Sequence, residues 1–167
     1  WVVDYGIYAV TIRCKGSLPQ ATQEQLKEIG LSLKNMPAAC NDAEALRRKH
    51  FAILDRSLDS GYGEAPFHDR SSARHLHHFI QSYQLDGLRF SHWVVMPNHI
   101  HLITHPFQVG SSKHFREVWQ RFKSLSARRL NQSTNRKGSL WQSSWYDRWV
   151  RNQNEQERWI RYLRDNP

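Results

Sequence analysis

The order of hydrophobic and polar positions along the chain predicts short strands interleaved with amphipathic helices. Residues 2–14, rich in β-branched and aromatic side chains, predict a first strand. Apolar residues then recur at helical spacing in three stretches, which predict helices over residues 22–34, 42–58 and 71–83, with Asp42 as the N-cap of the second. Residues 88–96 and 99–105 predict a β-hairpin, because Pro97 and Asn98 favour a turn between two β-forming runs.

The last third of the chain predicts two further helices. Residues 111–130 repeat apolar positions at helical spacing, from Phe115 to Leu125, with basic residues between them. A polar stretch and a short extended segment within residues 141–151 follow, and Asn154 is the candidate N-cap of the final helix. This order predicts an α+β domain over residues 1–167, with a small antiparallel sheet covered by helices on one face.

Two histidines share one face of the second hairpin strand. His99 and His101 flank Ile100, and side chains alternate along a strand, so both imidazoles project to the same side and can ligate one divalent cation. A single pair of this kind is more often structural than metal-binding, and the spacing alone leaves both interpretations open. The histidines at 75, 77 and 78 fall on different faces of a helix, and we interpret them as surface residues.

The charge of the chain is concentrated after this histidine pair. The net charge is +9, and residues 113–167 hold 13 lysines and arginines against 5 acidic residues. Such asymmetry favours a polyanionic partner, most often nucleic acid. The two cysteines form no CxxC pair, and no apolar run is long enough to span a bilayer, so we expect a reducing cytoplasm. A start at Trp1 and a stop at Pro167 suggest a fragment truncated at its C-terminus.

Two histidines are too few ligands for a catalytic cation, so a third ligand and a nucleophile are expected elsewhere. Tyr162 and Asn166 lie four residues apart, on one face of the final helix and beside its Trp159/Leu163 apolar stripe. Tyrosines in such positions are usually packing residues. Tyr146 is the alternative nucleophile, although it has no polar partner at helical spacing.

The string from Trp93 to Ile103, Trp-Val-Val-Met-Pro-Asn-His-Ile-His-Leu-Ile, closely resembles the HUH motif of single-tyrosine transposases, especially the REP-associated tyrosine transposases of bacteria. Residues 145–152 and the helix that ends in Tyr-Leu-Arg-Asp-Asn-Pro, residues 162–167, resemble the C-terminal half of that family. The resemblance covers residues 88–167 well and 1–13 weakly, so residues 22–84 would be a helical insertion. It implies a ferredoxin-like antiparallel sheet with the HUH strand in a central position.

The resemblance also implies a site and a reaction. Tyr162 would be the nucleophile, and His99, His101 and Asn166 would bind Mg²⁺ or Mn²⁺. The enzyme would cleave and rejoin single-stranded DNA near hairpin, REP-like sequences through a 5′-phosphotyrosine intermediate. We assign DNA binding to basic and aromatic residues of the last third: Arg116, Arg121, Lys123, Arg128, Trp145, Arg148 and Arg151.

Other interpretations remain open at this stage. The chain could be a non-catalytic regulator, derived from a transposase, that binds hairpin DNA. A rolling-circle initiator or relaxase would share the histidine pair but fits the Tyr162/Asn166 helix less well, and a zinc hydrolase lacks a carboxylate beside the pair. We expect a monomer or homodimer in the bacterial cytoplasm, associated with the nucleoid. The recognised DNA sequence is not predicted.

Overall fold

The structure is a computed structural model that describes residues 2–37 and 40–166. Trp1 and Pro167, used above to interpret the chain ends, lie outside the described residues. The elements in chain order are β1 (Ile7–Arg13), α1 (Gln20–Lys34), α2 (Asn41–Asp59), α3 (Arg70–Ser82), β2 (Phe90–Met96), β3 (His99–Thr104), α4 (Ser112–Thr134), β4 (Tyr146–Val150) and α5 (Gln153–Asp165). Short 3₁₀ turns precede and follow α3. Among the described residues, no helix is long and apolar enough to cross a membrane.

The four strands form one antiparallel sheet in the order β2-β3-β1-β4. The hairpin β2–β3 therefore pairs through β3 with β1, and β1 pairs on its other side with β4. This order, with helices in both crossovers, is the ferredoxin-like arrangement and confirms the predicted fold class. The register places Thr11 of β1 opposite His101 on one side and Tyr146 on the other.

One face of the sheet carries the main apolar core. Alternate residues of the two central strands, such as Ile12 and Ile100, point to this face and are fully buried. They belong to one apolar cluster with residues of α3 and α4, including Trp119 and Phe122, neither of which is exposed at all. Burial of large aromatic rings is the main stabilising contribution here.

The opposite face of the sheet is also covered, which corrects the prediction of helices on one face only. Helix α5 contacts β2, β3 and β4. Leu54 and Leu58 of α2 pack with Leu18 and Leu26 in a second apolar cluster, against Tyr146 of β4. The error has a physical reason: the periodicity of a helix locates its apolar stripe but does not specify which side of a sheet that stripe meets.

Several element ends also differ from the predicted ones. Strand β1 begins only at Ile7, because Tyr5 has a positive φ of 54° in the turn before it. Helix α2 follows Cys40, which makes no side-chain cap, and Asp42 lies inside its first turn. Helix α5 is capped by Asn152, whose side chain accepts a hydrogen bond from the Glu155 N–H, two residues before the predicted Asn154.

Candidate active site

The two histidines of β3 converge on one point below α5. Their Nε2 atoms are 2.9 Å apart, and their rings meet edge to face with centroids 4.6 Å apart. His99 and His101 are both at most 1% exposed. The strand places them there because residues two apart share a face, and the rest of that face is closed by α2 and α5.

Each histidine is held through its other ring nitrogen. The Asn98 amide nitrogen donates to the Leu58 carbonyl at 3.1 Å, so the amide oxygen is left to accept a hydrogen bond from His99 Nδ1 at 2.7 Å. This assigns the proton of His99 to Nδ1 and leaves its Nε2 with a free lone pair. His101 Nδ1 lies 2.8 Å from the Thr11 hydroxyl, and its Nε2 faces that of His99. Partners of this type orient the histidines of metal sites.

The chemistry of the pair fits a divalent cation. Adjacent ligands at about 2.1 Å from an octahedral ion are separated by about 3.0 Å, close to the spacing of the two Nε2 atoms. Burial lowers the pKa of His99 to about 4, and burial together with the charge of His99 lowers the pKa of His101 further. Both rings are therefore neutral at pH 7, the form that ligates metals.

A tyrosine of α5 completes the arrangement. The Tyr162 hydroxyl donates a short hydrogen bond to Asp55 of α2 and lies 3.2 Å from His101 Nε2. Its ring meets that of His101 edge to face, with centroids 5.2 Å apart. Burial and the hydrogen bond to Asp55 raise the pKa of Tyr162 far above its usual value, so the phenol is protonated at rest.

The predicted amide ligand lies at the end of the same helix. Asn166 is the C-cap of α5, with extended backbone, and its N–H donates to the Tyr162 carbonyl at 3.1 Å. Its side-chain nitrogen is buried and has no hydrogen-bond partner among the described residues. In the described part of the chain, no three His, Cys, Asp or Glu side chains are grouped to hold a metal ion. An amide oxygen is a type of ligand that Mg²⁺ and Mn²⁺ accept.

Tyr146, the alternative nucleophile, lies away from the histidines. It is on β4, two strands from His101 in the sheet order, which corresponds to about 10 Å between their strands. Its ring packs against Phe51 at 4.9 Å and stacks on His50 at 5.9 Å. The structure thus brings Tyr162, and not Tyr146, to the histidine pair.

Two residues beside the pair were missed in the sequence. Asp55 lies on α2, and its Oδ1 is 3.8 Å from His101 Nε2. Arg13 is the cross-strand neighbour of His99, and one of its terminal nitrogens is buried without a hydrogen-bond partner in the described residues. The available signal for Asp55 was its position between Phe51 and Leu58, on the apolar side of a helix.

The basic residues assigned to DNA on α4 lie on the far side of the sheet from Tyr162. Arg116 and Arg128 are exposed, and Arg121 pairs with Asp86 at 2.7 Å. The position of Lys123 contradicts the prediction that this residue binds DNA. It is only 7% exposed, and its ammonium donates to the carbonyls of Gln142 and Ser143 at 2.5 and 2.7 Å. An ammonium with these buried partners is not positioned to meet a phosphate.

The remaining assigned residues, near β4, are also engaged within the protein. Arg148 bridges Glu44 and Glu155 at 2.5 and 2.6 Å, and Arg151 pairs with Glu44 at 2.5 Å. The Trp145 ring is half-buried under the Lys123 ammonium, 5.0 Å from the ring centroid. Arg148 therefore serves mainly as an internal ion-pair partner, whereas Arg151 keeps about half of its side chain exposed.

The fold and this site together define a class. The chain is a ferredoxin-like α+β protein in which a histidine pair on a central strand faces a tyrosine on the C-terminal helix. Residues 64–166 match the family model described as "Transposase IS200 like", which covers more than half of the chain. The chain belongs to the IS200-like transposase family.

Two solved structures are similar to this chain. The chain is similar to a REP-associated tyrosine transposase solved bound to a REP hairpin, with a TM-score of 0.50 and 15% identity, over 100% of this chain and 69% of that one. A putative transposase from Deinococcus radiodurans gives a TM-score of 0.38 and 16% identity, over 99% of this chain and 92% of that one. No curated protein sequence matches the chain. At 15% identity the first likeness establishes the shared fold.

Proposed function

We propose that this protein is a metal-dependent transposase that cleaves and rejoins single-stranded DNA next to hairpins through a covalent bond to Tyr162. The observation that carries the proposal is the position of the Tyr162 hydroxyl, 3.2 Å from a histidine nitrogen that itself lies 2.9 Å from a second one. A nucleophile beside two neutral, oriented imidazoles is the arrangement that metal-assisted phosphoryl transfer needs.

Residues of one chain would hold the cation. His99 and His101 supply two nitrogen ligands, and the amide oxygen of Asn166 is the candidate third, since this side chain is close enough to Tyr162 to interact with its hydroxyl. Mg²⁺ or Mn²⁺ bound there would supply positive charge that stabilises the phenolate and the negative charge on the scissile phosphate. All these side chains and Tyr162 come from the same chain, so the proposed site needs no residue from a second copy in a monomer or a homodimer.

The side chains of the site account for the remaining steps. The Tyr162 oxygen attacks the phosphorus, while its proton passes to the Asp55 carboxylate to which it is already hydrogen-bonded. The phosphorus–O3′ bond breaks and the leaving O3′ takes a proton from water, which leaves a 3′-hydroxyl on one strand and a 5′-phosphotyrosine on the other. Attack by another 3′-hydroxyl restores the phosphodiester and frees Tyr162, so rejoining needs no nucleotide cofactor.

Single-stranded or hairpin DNA is the proposed partner. Three observations support it: the family is one of transposases, the similar REP-associated protein was solved with a REP hairpin, and the net charge is +9. Arg13 adds a half-buried guanidinium without an ion pair in the described residues, on the same sheet face as His99 and suited to a phosphate.

The decisive experiment removes the Tyr162 hydroxyl. A labelled hairpin with single-stranded flanks is incubated with Mn²⁺, and denaturation-resistant protein–DNA adducts are counted. We expect Tyr162→Phe to eliminate the adduct and to retain hairpin binding, because the ring and its packing are kept. Tyr146→Phe is the matched control and should leave the adduct intact.

Two outcomes would contradict the proposal. A nucleotide mapped to the Tyr146 peptide would reassign the nucleophile. Tight hairpin binding by the wild-type protein, without any adduct under Mg²⁺ or Mn²⁺, would instead favour the non-catalytic DNA-binding regulator.

A further inference from the structure

Helices α2 and α5 leave an open cleft of about 510 Å³ directly beside Tyr162. Four of its eight lining residues are aromatic: Phe51, Tyr146, Trp159 and Tyr162. Phe51 is at the centre: its ring centroid lies 4.9 Å from that of Tyr146, 5.1 Å from Trp159 and 5.8 Å from Tyr162. All four side chains are only half-buried, so ring surface faces the cleft.

Positive charge surrounds these rings. Arg148 on the cleft wall is already neutralised by Glu44 and Glu155, and this ion-pair network leaves no free carboxylate there. Arg48 is 75% exposed at the rim, with one ion pair to Glu44 at 3.4 Å. Arg158, also at the rim, is exposed and forms no ion pair in the described part of the chain. The cleft thus offers flat apolar surface within reach of two exposed guanidinium groups.

We propose that this cleft binds one unstacked nucleobase of the DNA strand, next to the phosphodiester that Tyr162 attacks. The bound base lies against Phe51 and Trp159, and Arg48 and Arg158 contact the phosphates on either side of it. Aromatic rings bind bases through their faces, and guanidinium groups bind phosphate oxygens, so the two parts of the cleft match the two parts of a nucleotide. This inference rests on the proposed function.

The position of Tyr162 explains why the bound base has to neighbour the cleaved bond. Its ring forms part of the cleft wall, while its hydroxyl points to His101. An occupant of the cleft therefore contacts the ring that carries the nucleophilic hydroxyl. Drawing one base out of the stack holds the adjacent backbone in an extended form, which exposes the phosphorus to in-line attack.

The part of the cleft formed by α2 lies outside the residues that match the family model. Arg48 and Phe51 belong to α2, which lies outside residues 64–166, the part of the chain that matches the transposase family model. Helix α2 then has a specific role, which is to hold the unstacked base next to the cleavage position.

The first test varies the DNA and uses the wild-type protein. Once the adduct of Tyr162 has located the cleaved bond, an abasic site is introduced at each nucleotide around it, and binding is measured without divalent cations. We expect a single position, adjacent to the cleaved bond, at which loss of the base weakens binding about tenfold, in line with the stacking contribution of one base. Adduct formation should slow at the same position.

Protein variants then connect that position to the cleft. Phe51→Leu keeps an apolar side chain and should weaken binding to intact DNA about as much as the abasic site does. Combined with that abasic site, Phe51→Leu should cause little further loss, because both changes remove the same contact. Arg158→Gln should weaken binding and reduce its salt dependence more than Arg161→Gln, an exposed arginine of the same helix that lies outside the cleft.

The two failures are distinguishable. If wild-type protein forms no adduct with any DNA, the proposed function fails. If the adduct forms but no abasic position weakens binding, or if the losses from Phe51→Leu and the abasic site simply add, the cleft does not bind the base. The abasic series uses unmodified protein, so it is decisive even if Phe51→Leu is poorly folded.

Discussion

Asn98 joins the histidine pair to helix α2, and its removal should affect both stability and metal binding. The side chain is 1% exposed in the turn between β2 and β3. Its amide nitrogen donates to the carbonyls of Leu58 at 3.1 Å and Tyr62 at 3.4 Å, and its oxygen accepts from His99 Nδ1 at 2.7 Å. Asn98→Ala removes all three hydrogen bonds.

The structure gives the size of both effects. Asn98→Ala leaves the His99 N–H buried without a partner, which costs about 1–3 kcal/mol, whereas the Leu58 carbonyl still accepts from the Gly61 N–H at 3.1 Å and loses only one hydrogen bond, worth about 0.5–1.5 kcal/mol. We therefore expect the free energy of unfolding to fall by roughly 1.5–4.5 kcal/mol, a large part of the stability of a domain of this size. The ring of His99 also loses the partner that fixes its tautomer, which should weaken metal affinity by about 10–100-fold.

Asn98→Asp separates the two effects. The carboxylate still accepts from His99 Nδ1, so Mn²⁺ affinity should stay near that of the wild type. It cannot donate to Leu58, so stability should fall. Urea unfolding measures the stability, and titration with Mn²⁺ followed by electron paramagnetic resonance measures the metal affinity. Wild-type Mn²⁺ affinity in a folded Asn98→Ala protein would refute the reasoning, because His99 would then be oriented without Asn98.

Two further predictions concern α2. Asp55→Asn keeps an acceptor for the Tyr162 hydroxyl but removes the carboxylate that takes its proton. Adduct formation should therefore slow by about 10²–10⁴-fold, with hairpin binding unchanged. An unchanged rate in a rapid-quench assay would exclude Asp55 as the proton acceptor. Burial alone would raise the pKa of Glu44, but Arg148 and Arg151 lower that pKa to about 2. The ionised Glu44 carboxylate therefore stabilises the protein fully above pH 4.5, and this stabilisation is lost as the pH falls towards 2. Urea unfolding at pH 5 and pH 3 should show a loss of at most about 2 kcal/mol in the wild type that Glu44→Gln lacks. Identical pH dependence in the two proteins would contradict the ion-pair network.

The strands and helices were predictable where the hydrophobic pattern had a clear period. The β2–β3 hairpin lies within two residues of its predicted ends, because alternation and the turn at Pro97 and Asn98 are local features. The end of α4 at Thr134, four residues beyond the predicted one, was not predicted, since the last turn is polar and continues the helix without a buried stripe. Strand order came only from the family resemblance, because pairing between β1 and β4 joins residues far apart in sequence.

The residues of the candidate site also differ in how far a local sequence pattern identifies them. Tyr162 and Asn166 were found together because a helix fixes residues four apart on one face. Lys123 was misassigned because positive charge was taken to mean exposure, although it lies four residues after Trp119, on the buried stripe of α4. A lysine on such a stripe reaches internal carbonyls with its ammonium while its stem packs in the core.

Helix α2 contributes to three parts of the site whose proximity in space a sequence pattern does not specify. It was predicted to be part of an insertion, because the family resemblance did not extend over residues 22–84. In the structure its successive turns reach three parts of the proposed site: Phe51 lies in the aromatic cleft, Asp55 accepts from Tyr162, and the Leu58 carbonyl anchors Asn98 behind His99. Residues 51, 55 and 58 follow helical spacing, so one straight helix sets the positions of these groups relative to one another. A rotation of α2 about its axis would then disturb the nucleophile, the cleft and the histidine support together, and substitutions in the buried leucines of α2 should reduce adduct formation through geometry even where the chain stays folded.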